Sequence, residues 1–426
     1  NRNKNIMAIT IQQTPETFAP AYNPIWWVVS STNTAQANFE YICDVYITGV
    51  TFAGGATYLR LKCPSDPTYA RGVFNVAPIL QRQLTSDSQD TIYGFQQCSN
   101  SILDYSVKFG ELYGASSGVI AYADLTTSTG KTGFNGSLGA IEYKDYSTSN
   151  YAANSSATQI NFLTNAPSSG VIRANESQWV YAMSQTSGAI KFANINTYDS
   201  GGAIVGAYKV INHQYHNTST AANRMLRFPA GLNLNSITTG IYTSDPLPIL
   251  QSNAVKWEIY FTDSARNRIT ESYFLKYSTP QREDVCTFHT VYRLHFKNKW
   301  GAFDSFSFIR GSQISTDIQR KGYEKVMGSF KSGSSYTYNK KDRFQTNFHT
   351  THKHTIKLNS DWINEDQSVW LEELLTSPEI YIEESNDFVP ANIIETKYTQ
   401  RQAKTDKIFN IEINIQRTFN EIRQGA

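Results

Sequence analysis

The side chains best able to do chemistry in this chain are its histidines, cysteines and scattered carboxylates. The densest cluster is His349-x-x-His352-x-His354. On a strand, side chains alternate between faces, so His352 and His354 share one face and His349 takes the other. Two imidazoles fall short of the three or four ligands a metal site needs, and nothing in the sequence fixes Asp342 or Asp361 beside them. The expectation is exposed strand histidines and no metal. His213-x-x-His216 lies in a Tyr/Asn-rich stretch with no partner motif. Gly130-Lys131-Thr132 ends like a phosphate loop, but Leu125 stands where the first glycine of that loop is required. Cys286 and His289 would point to opposite faces of a strand, which does not favour a nucleophile–base dyad. No HExxH or GxGxxG occurs. Glycoside cleavage needs only two carboxylates in a cleft. The middle of the chain offers just Asp124, Glu142, Asp145, Glu176, Asp199 and Asp245 for it. No catalytic residue, cofactor or enzymatic activity is expected.

Two other groupings suit binding. Arg320, Lys321, Lys325, Lys340, Lys341 and Arg343, with Lys331, form a basic stretch opposed only by Glu324 and Asp342. Tyrosines, glycines and serines are interleaved with it. Basic residues mixed with aromatics can bind single-stranded nucleic acid, but a solvated loop, hairpin or arm that docks on an acidic partner is the preferred reading. Trp179, Tyr181 and Tyr198, with Tyr146, Tyr151, Tyr208 and Tyr215, could present flat rings to sugars. The competing reading, which we favour, is that they pack cores and subunit interfaces, where Tyr and Trp are enriched.

The elements that must carry these residues have a period of two. Phe409, Ile411, Ile413 and Ile415 alternate with polar residues, as a half-buried strand does. Residues 41–47, 58–62, 257–261, 272–277 and 291–296 read the same way. They are rich in aromatic and β-branched side chains. Helices are few. Asn364 caps a helix near 365–376, with Glu365 and Asp366 in its first turn and Pro378 beyond its end. A second helix is expected at Val76–Leu84. The fold class is therefore mainly β: sandwich- or barrel-like domains with a few short helices. A strand–helix–strand–strand–strand motif closes the chain.

Charge places the domains. Only 17% of the 426 residues are charged, against roughly 25% in typical soluble chains, and the net charge is +2. The deficit is local: residues 120–250 hold 13 charged side chains, whereas residues 251–426 hold 46. We expect an N-terminal β domain at 1–115, a low-charge Ser/Thr/Asn/Tyr-rich insertion or middle domain at 116–250, and a C-terminal β domain at 251–426. Loops are expected at 126–136 and 146–156. The strands at 255–277 resemble those at 41–62 in style and could complete one sandwich with them. Aromatics are too many and net charge too small for disorder. The longest apolar run, Ile25–Val29, is far short of the ~18–20 residues of a membrane-spanning helix. The charge balance is that of no strongly basic nucleic-acid module, so nucleic acid is not an expected partner. Cys43, Cys63, Cys98 and Cys286 contain no CxxC pair and read as reduced thiols rather than a disulfide framework. Met7 reads as a start site, with residues 1–6 as an upstream extension.

Two stretches carry a resemblance. The first is Phe18-Ala19-Pro20-Ala21-Tyr22-Asn23-Pro24-Ile25-Trp26-Trp27-Val28-Val29, leading to Asp66-Pro67-Thr68-Tyr69-Ala70-Arg71-Gly72-Val73-Phe74. The second is Phe296-Lys297-Asn298-Lys299-Trp300-Gly301-Ala302-Phe303-Asp304-Ser305-Phe306, followed by residues 370–382 and the strand at 409–415. Together they resemble virion structural proteins of tailed phages and prophages of Bacteroidota, the crAss-like phages among them. The resemblance covers both ends of the chain and skips the middle. It implies a β-rich tail, baseplate or neck component, located in the virion, that forms a symmetric ring of its own copies beside other tail or neck proteins. Host surface glycans are a further partner under the alternative of a receptor-binding virion protein. A neck or portal-adjacent connector is another alternative. On this reading Trp26, Trp27, Trp300, Phe303 and Trp370, with Trp362, are interface candidates. Asp304 is expected as a turn residue that bonds its own backbone.

Overall fold

The computed structural model describes residues 9–87, 94–114, 130–154, 159–173, 176–185, 189–213, 224–277, 290–310, 312–384, 387–395, 409–419 and 421–423. The chain is mainly β, with a few short helices, as its period-two patterning requires. It divides into two compact units. One comprises Asn1–Thr279 with Lys297–Asp304, and the other Pro280–Phe296 with Ser305–Ala426.

The first unit contains two sandwich-like cores. In one, a three-stranded sheet (Thr10–Gln13, Trp26–Ser30, Arg71–Asn75) faces a five-stranded sheet. The five run in the order Phe18–Pro20, Lys131–Phe134, Ile102–Leu112, Glu40–Ile47, Leu59–Pro64. Trp27, Val29 and Phe74 from the smaller sheet meet Tyr41, Cys43, Tyr105 and Phe109 from the larger one. In the other core, a four-stranded sheet contributes Val180, Ala182, Leu226 and Phe228. A six-stranded sheet contributes Ala193, Ile195, Tyr208, Trp257, Ile259 and Phe261. The six run in the order Ser169–Ile172, Tyr273–Tyr277, Lys256–Thr262, Phe192–Tyr198, Ile204–Ile211, Ile241–Tyr242. Alternation sends Trp257, Ile259 and Phe261 inward and leaves Glu258 and Tyr260 for the outer face.

Several expectations are corrected here. The strands at 256–262 and 273–277 do not complete a sandwich with 41–62; they pair with each other, the first also with Phe192–Tyr198 and the second with Ser169–Ile172. The strand Lys131–Phe134 joins the N-terminal sheet beside Ile102–Leu112. Both places where the charge gradient suggested a boundary thus lie inside one unit. The described parts of the expected loops are also structured. Lys131–Phe134 is a strand, Thr148–Tyr151 a helical turn and Ala152–Ala153 a short strand. Their Ser/Thr/Asn/Gly composition reads as loop, but tertiary pairing overrides it.

The second unit is built on one antiparallel sheet. Its order is Phe303–Phe308, Tyr292–Lys297, Ile380–Glu384, Asp387–Ile393, Glu412–Arg417, Gln345–Asn359, Gln313–Glu324, and Glu421–Arg423 also pairs with Gln345–Asn359. The helix Glu365–Thr376 lies where its cap predicted. Asn364 Oδ1 accepts from Gln367 N at 2.8 Å, and Gln367 Oε1 accepts from Asn364 N at 3.2 Å. Its Trp370 ring sits 5.7 Å from Phe296 and 6.0 Å from Phe306. The second expected helix is shorter than predicted, Ala77–Gln81.

Candidate functional site

The basic stretch is part of a projecting β-arm. Gln313–Glu324 pairs antiparallel with Gln345–Asn359 over twelve residue pairs, from Gln313↔Lys357 to Glu324↔Gln345. A short hairpin, Ser329–Ser332 with Ser335–Thr337, stands beyond them. Every residue of Gln313–Glu324 is exposed. Arg320 and Lys321 lie on this strand, Lys325 follows it, and Lys340, Lys341 and Arg343 lead into the returning strand. Of the loop, hairpin or arm expected here, the described residues form an antiparallel ribbon with defined register.

The arm carries apolar side chains where a soluble edge would carry charge. One cross-strand row shows this. Ile314 lies opposite Ile356, and Ile356 lies opposite Ile415. Ile415 is 0% exposed and Ile356 is 2%, but Ile314 at the sheet edge is 58% exposed. Ile318, four residues on, shares the face of Ile314 and is also exposed. The core-facing surface of the sheet thus continues past the core into solvent. Tyr323, Phe330, Tyr338 and Phe348 add exposed rings along the arm. His352 and His354 share a face, with rings 5.2 Å apart, and Thr316 meets His354 Nδ1 at 3.0 Å. Among the described residues, no group of three His, Cys, Asp or Glu is placed to hold a metal ion.

A second site lies on the outer face of the six-stranded sheet. An open pocket of about 480 Å³ is lined by Asn194, Asn196, Lys209, Glu258, Tyr260, Thr262, Arg266 and Arg268. The register sets it: Asn196 faces Glu258, and Asn194 faces Tyr260 on one side and Lys209 on the other. Glu258 is the hub. Its Oε2 accepts from Tyr198 Oη at 2.9 Å and from Asn196 Nδ2 at 3.2 Å, and its Oε1 accepts from Ser272. Arg268 Nη1 lies 3.7 Å from Oε1, with its guanidinium over the Tyr260 ring. Burial alone pushes the Glu258 carboxyl up. The hydrogen bonds from Ser272, Tyr198 and Asn196, with the Arg268 charge, outweigh burial and hold it below the usual carboxylate range. The group is an anion committed to its own neighbours.

The second unit holds a buried polar chain that sequence reading did not find. Ser305 Oγ meets His295 Nδ1 at 2.7 Å, and His295 Nε2 meets Glu383 Oε2 at 2.9 Å. The order Ser–His–Glu is that of a nucleophile, base and orienting acid. Burial argues against that use: Ser305 is 7% exposed and His295 0%. Arg293 Nε lies 3.5 Å from the same carboxylate, and Arg293 Nη1 donates to Ser307 Oγ at 2.8 Å. A charged pair flanked by hydroxyls inside a sheet is an internal network. Its members come from Tyr292–Lys297, Phe303–Phe308 and Ile380–Glu384, and no sequence spacing links them. Gly114-Ala115-Ser116-Ser117-Gly118 matches the Gly-x-Ser-x-Gly pattern of a nucleophile elbow, but residues 115–118 lie outside the described residues. So do Met7, Tyr215, His216, Cys286 and His289.

Most aromatic candidates are internal. Trp27, Trp300, Phe303 and Trp370 are buried and cannot offer their rings to a neighbouring copy. Trp300 packs 4.1 Å from Tyr151, and Trp27 5.7 Å from Phe109. Trp26, 42% exposed, and Trp362 do face solvent. Trp179 and Tyr181 lie in a fully buried strand and form no sugar platform. Tyr208 is buried as well, its hydroxyl on Pro246 O at 2.8 Å. Of Trp179, Tyr181 and Tyr198, it is Tyr198 that reaches the pocket, through Glu258. Asp304 is buried in a strand rather than shaping a turn. The turn is made by Asn298, whose Oδ1 accepts from Trp300 N at 3.0 Å and Ala302 N at 3.1 Å.

Compared with known proteins, the chain matches no protein-family model and no curated protein. No helix among the described residues is long and apolar enough to cross a membrane.

Proposed function

We propose that this chain is a non-enzymatic structural subunit of a bacteriophage virion, a component of the tail hub or baseplate that assembles with its own copies into a symmetric ring. The arm carries this reading. An exposed apolar row continuous with a buried core is a surface built to be covered. An edge strand with free backbone groups is a template for a further strand or sheet face. Closed rings repeat one such contact around an axis. The resemblance of residues 18–29, 66–74, 296–306 and 370–382 to virion proteins supplies the setting, with other tail or neck proteins as neighbours. The basic tip of the arm suits an acidic patch on such a neighbour.

Mass photometry of the purified chain tests this. The expected result is a closed oligomer of one defined order, reduced to single chains by the double change Ile314→Lys and Ile318→Lys. Both side chains are exposed, so the variant's melting temperature should hold. A chain that stays single at all concentrations, or an oligomer indifferent to the double change, would overturn the reading.

A further inference from the structure

We propose that the outer face of the six-stranded sheet binds a carboxylate-bearing saccharide in the pocket around Glu258. Lys209 and Arg266 carry the argument. Neither has a carboxylate partner among the described residues, and both line the same opening. Among the described residues, the Lys209 ammonium lies 5.5 Å from the Phe192 ring. Arg266 stands on an exposed turn with φ of 70°. Glu258, the one carboxylate of the lining, is paired with Arg268 at 3.7 Å, so Lys209 and Arg266 leave the pocket with an excess of positive charge. An anion entering the pocket would meet two free cations, one of them a planar guanidinium matched to a carboxylate.

The rest of the lining selects what carries the anion. Asn196 Nδ2 donates one hydrogen to Glu258, and Asn194 Nδ2 one to Thr262 Oγ1 at 3.0 Å, which turns each amide within the lining. Both amide oxygens are left as acceptors beside the cations. Inorganic phosphate offers these oxygens at most one or two hydroxyl donors and is too small to reach both amides and both cations. A sugar acid offers a carboxylate for Arg266 and Lys209 and hydroxyl donors for Asn194 and Asn196. A volume of about 480 Å³ holds more than a bare anion and lies within the range of small-molecule sites. This inference stands apart from assembly, since no residue of the arm takes part in it.

Titration calorimetry on the full chain tests it, with a glucuronate disaccharide, its neutral glucose counterpart and inorganic phosphate as probes. The acidic disaccharide should bind and the neutral one should not. Arg266→Ala and Lys209→Ala should each weaken binding at least about tenfold, because each removes a charge-assisted contact. Both sit at the surface, and an unchanged melting temperature would confirm that the fold survives. Equal binding of the two disaccharides, no binding of the acidic one, affinity unmoved in both variants, or full displacement by phosphate would each overturn the proposal. The state of assembly decides none of these outcomes.

Discussion

Tyr198 reaches diagonally across an antiparallel strand pair and donates to Glu258 Oε2 at 2.9 Å. The bond joins one of the residues marked in the sequence as a sugar-facing aromatic to a carboxylate that no motif pointed to. Burial, and then Glu258 itself, pushes the Tyr198 phenol up, so it remains a donor while the carboxylate remains an anion.

Glu258 should tie stability to pH. Its carboxyl is held below its ordinary value in the folded chain, so its contribution is complete above the unfolded value of about 4.3 and is lost as pH falls through the folded one. Melting temperatures measured from pH 7 downward should fall more steeply below about pH 5 in the wild type than in Glu258→Gln. At pH 7 the variant should be the less stable, by roughly 1–3 kcal/mol for the lost bonds to a charged acceptor. Parallel pH curves would show that the hub carries no such linkage.

Glu383 should matter more, because its partners cannot reach water. Arg293 and His295 both point at it from buried positions. Glu383→Gln removes the carboxylate charge 3.5 Å from a buried guanidinium, which costs roughly 3–5 kcal/mol. Urea unfolding should show the midpoint of the second unit shifted down. A loss under about 1 kcal/mol, the range of an exposed ion pair, would mean that the network is solvated.

Gly301 should tolerate no side chain. Its φ is 76°, and a Cβ there would stand 2.1 Å from the backbone oxygen of Asn135. Because that oxygen belongs to the main chain, neither strain nor clash can relax by a rotamer change, and Gly301→Ala should cost roughly 3 kcal/mol or more. Soluble yield and melting temperature would report it. A variant as stable as the wild type would show that the Asn298 turn can open.

The cysteines should separate by burial. Desolvation pushes the Cys43 and Cys98 thiols well above their ordinary value, whereas Cys63 is half-exposed. Native iodoacetamide labelling followed by peptide mapping should modify Cys63 first and reach Cys43 and Cys98 only on unfolding. Early labelling of Cys98 would contradict its placement in the core.

The local order of side chains was enough to name the fold class and several elements. Alternation at 409–415 and 257–261, and the Asn364 cap before Trp370, are short-range signals. Strand faces and helix starts are decided by neighbours a few residues apart, so they can be read directly. What Ile314, Trp179 and Glu258 do was decided elsewhere. Ile314 and Ile415 have the same chemistry, and only pairing order puts one at a sheet edge and the other in a core. Trp179 looks like a surface aromatic in a low-charge segment, but its strand is buried along its whole length. Glu258 becomes a hub because residues 196 and 198 of the neighbouring strand and 268 and 272 of the connection after its own strand converge on it. The low charge of residues 120–250 marks strands that pack on one another. The long exposed strand Gln313–Glu324 instead lies in the part of the chain whose charge is ordinary, because burial follows strand pairing at long range and composition does not.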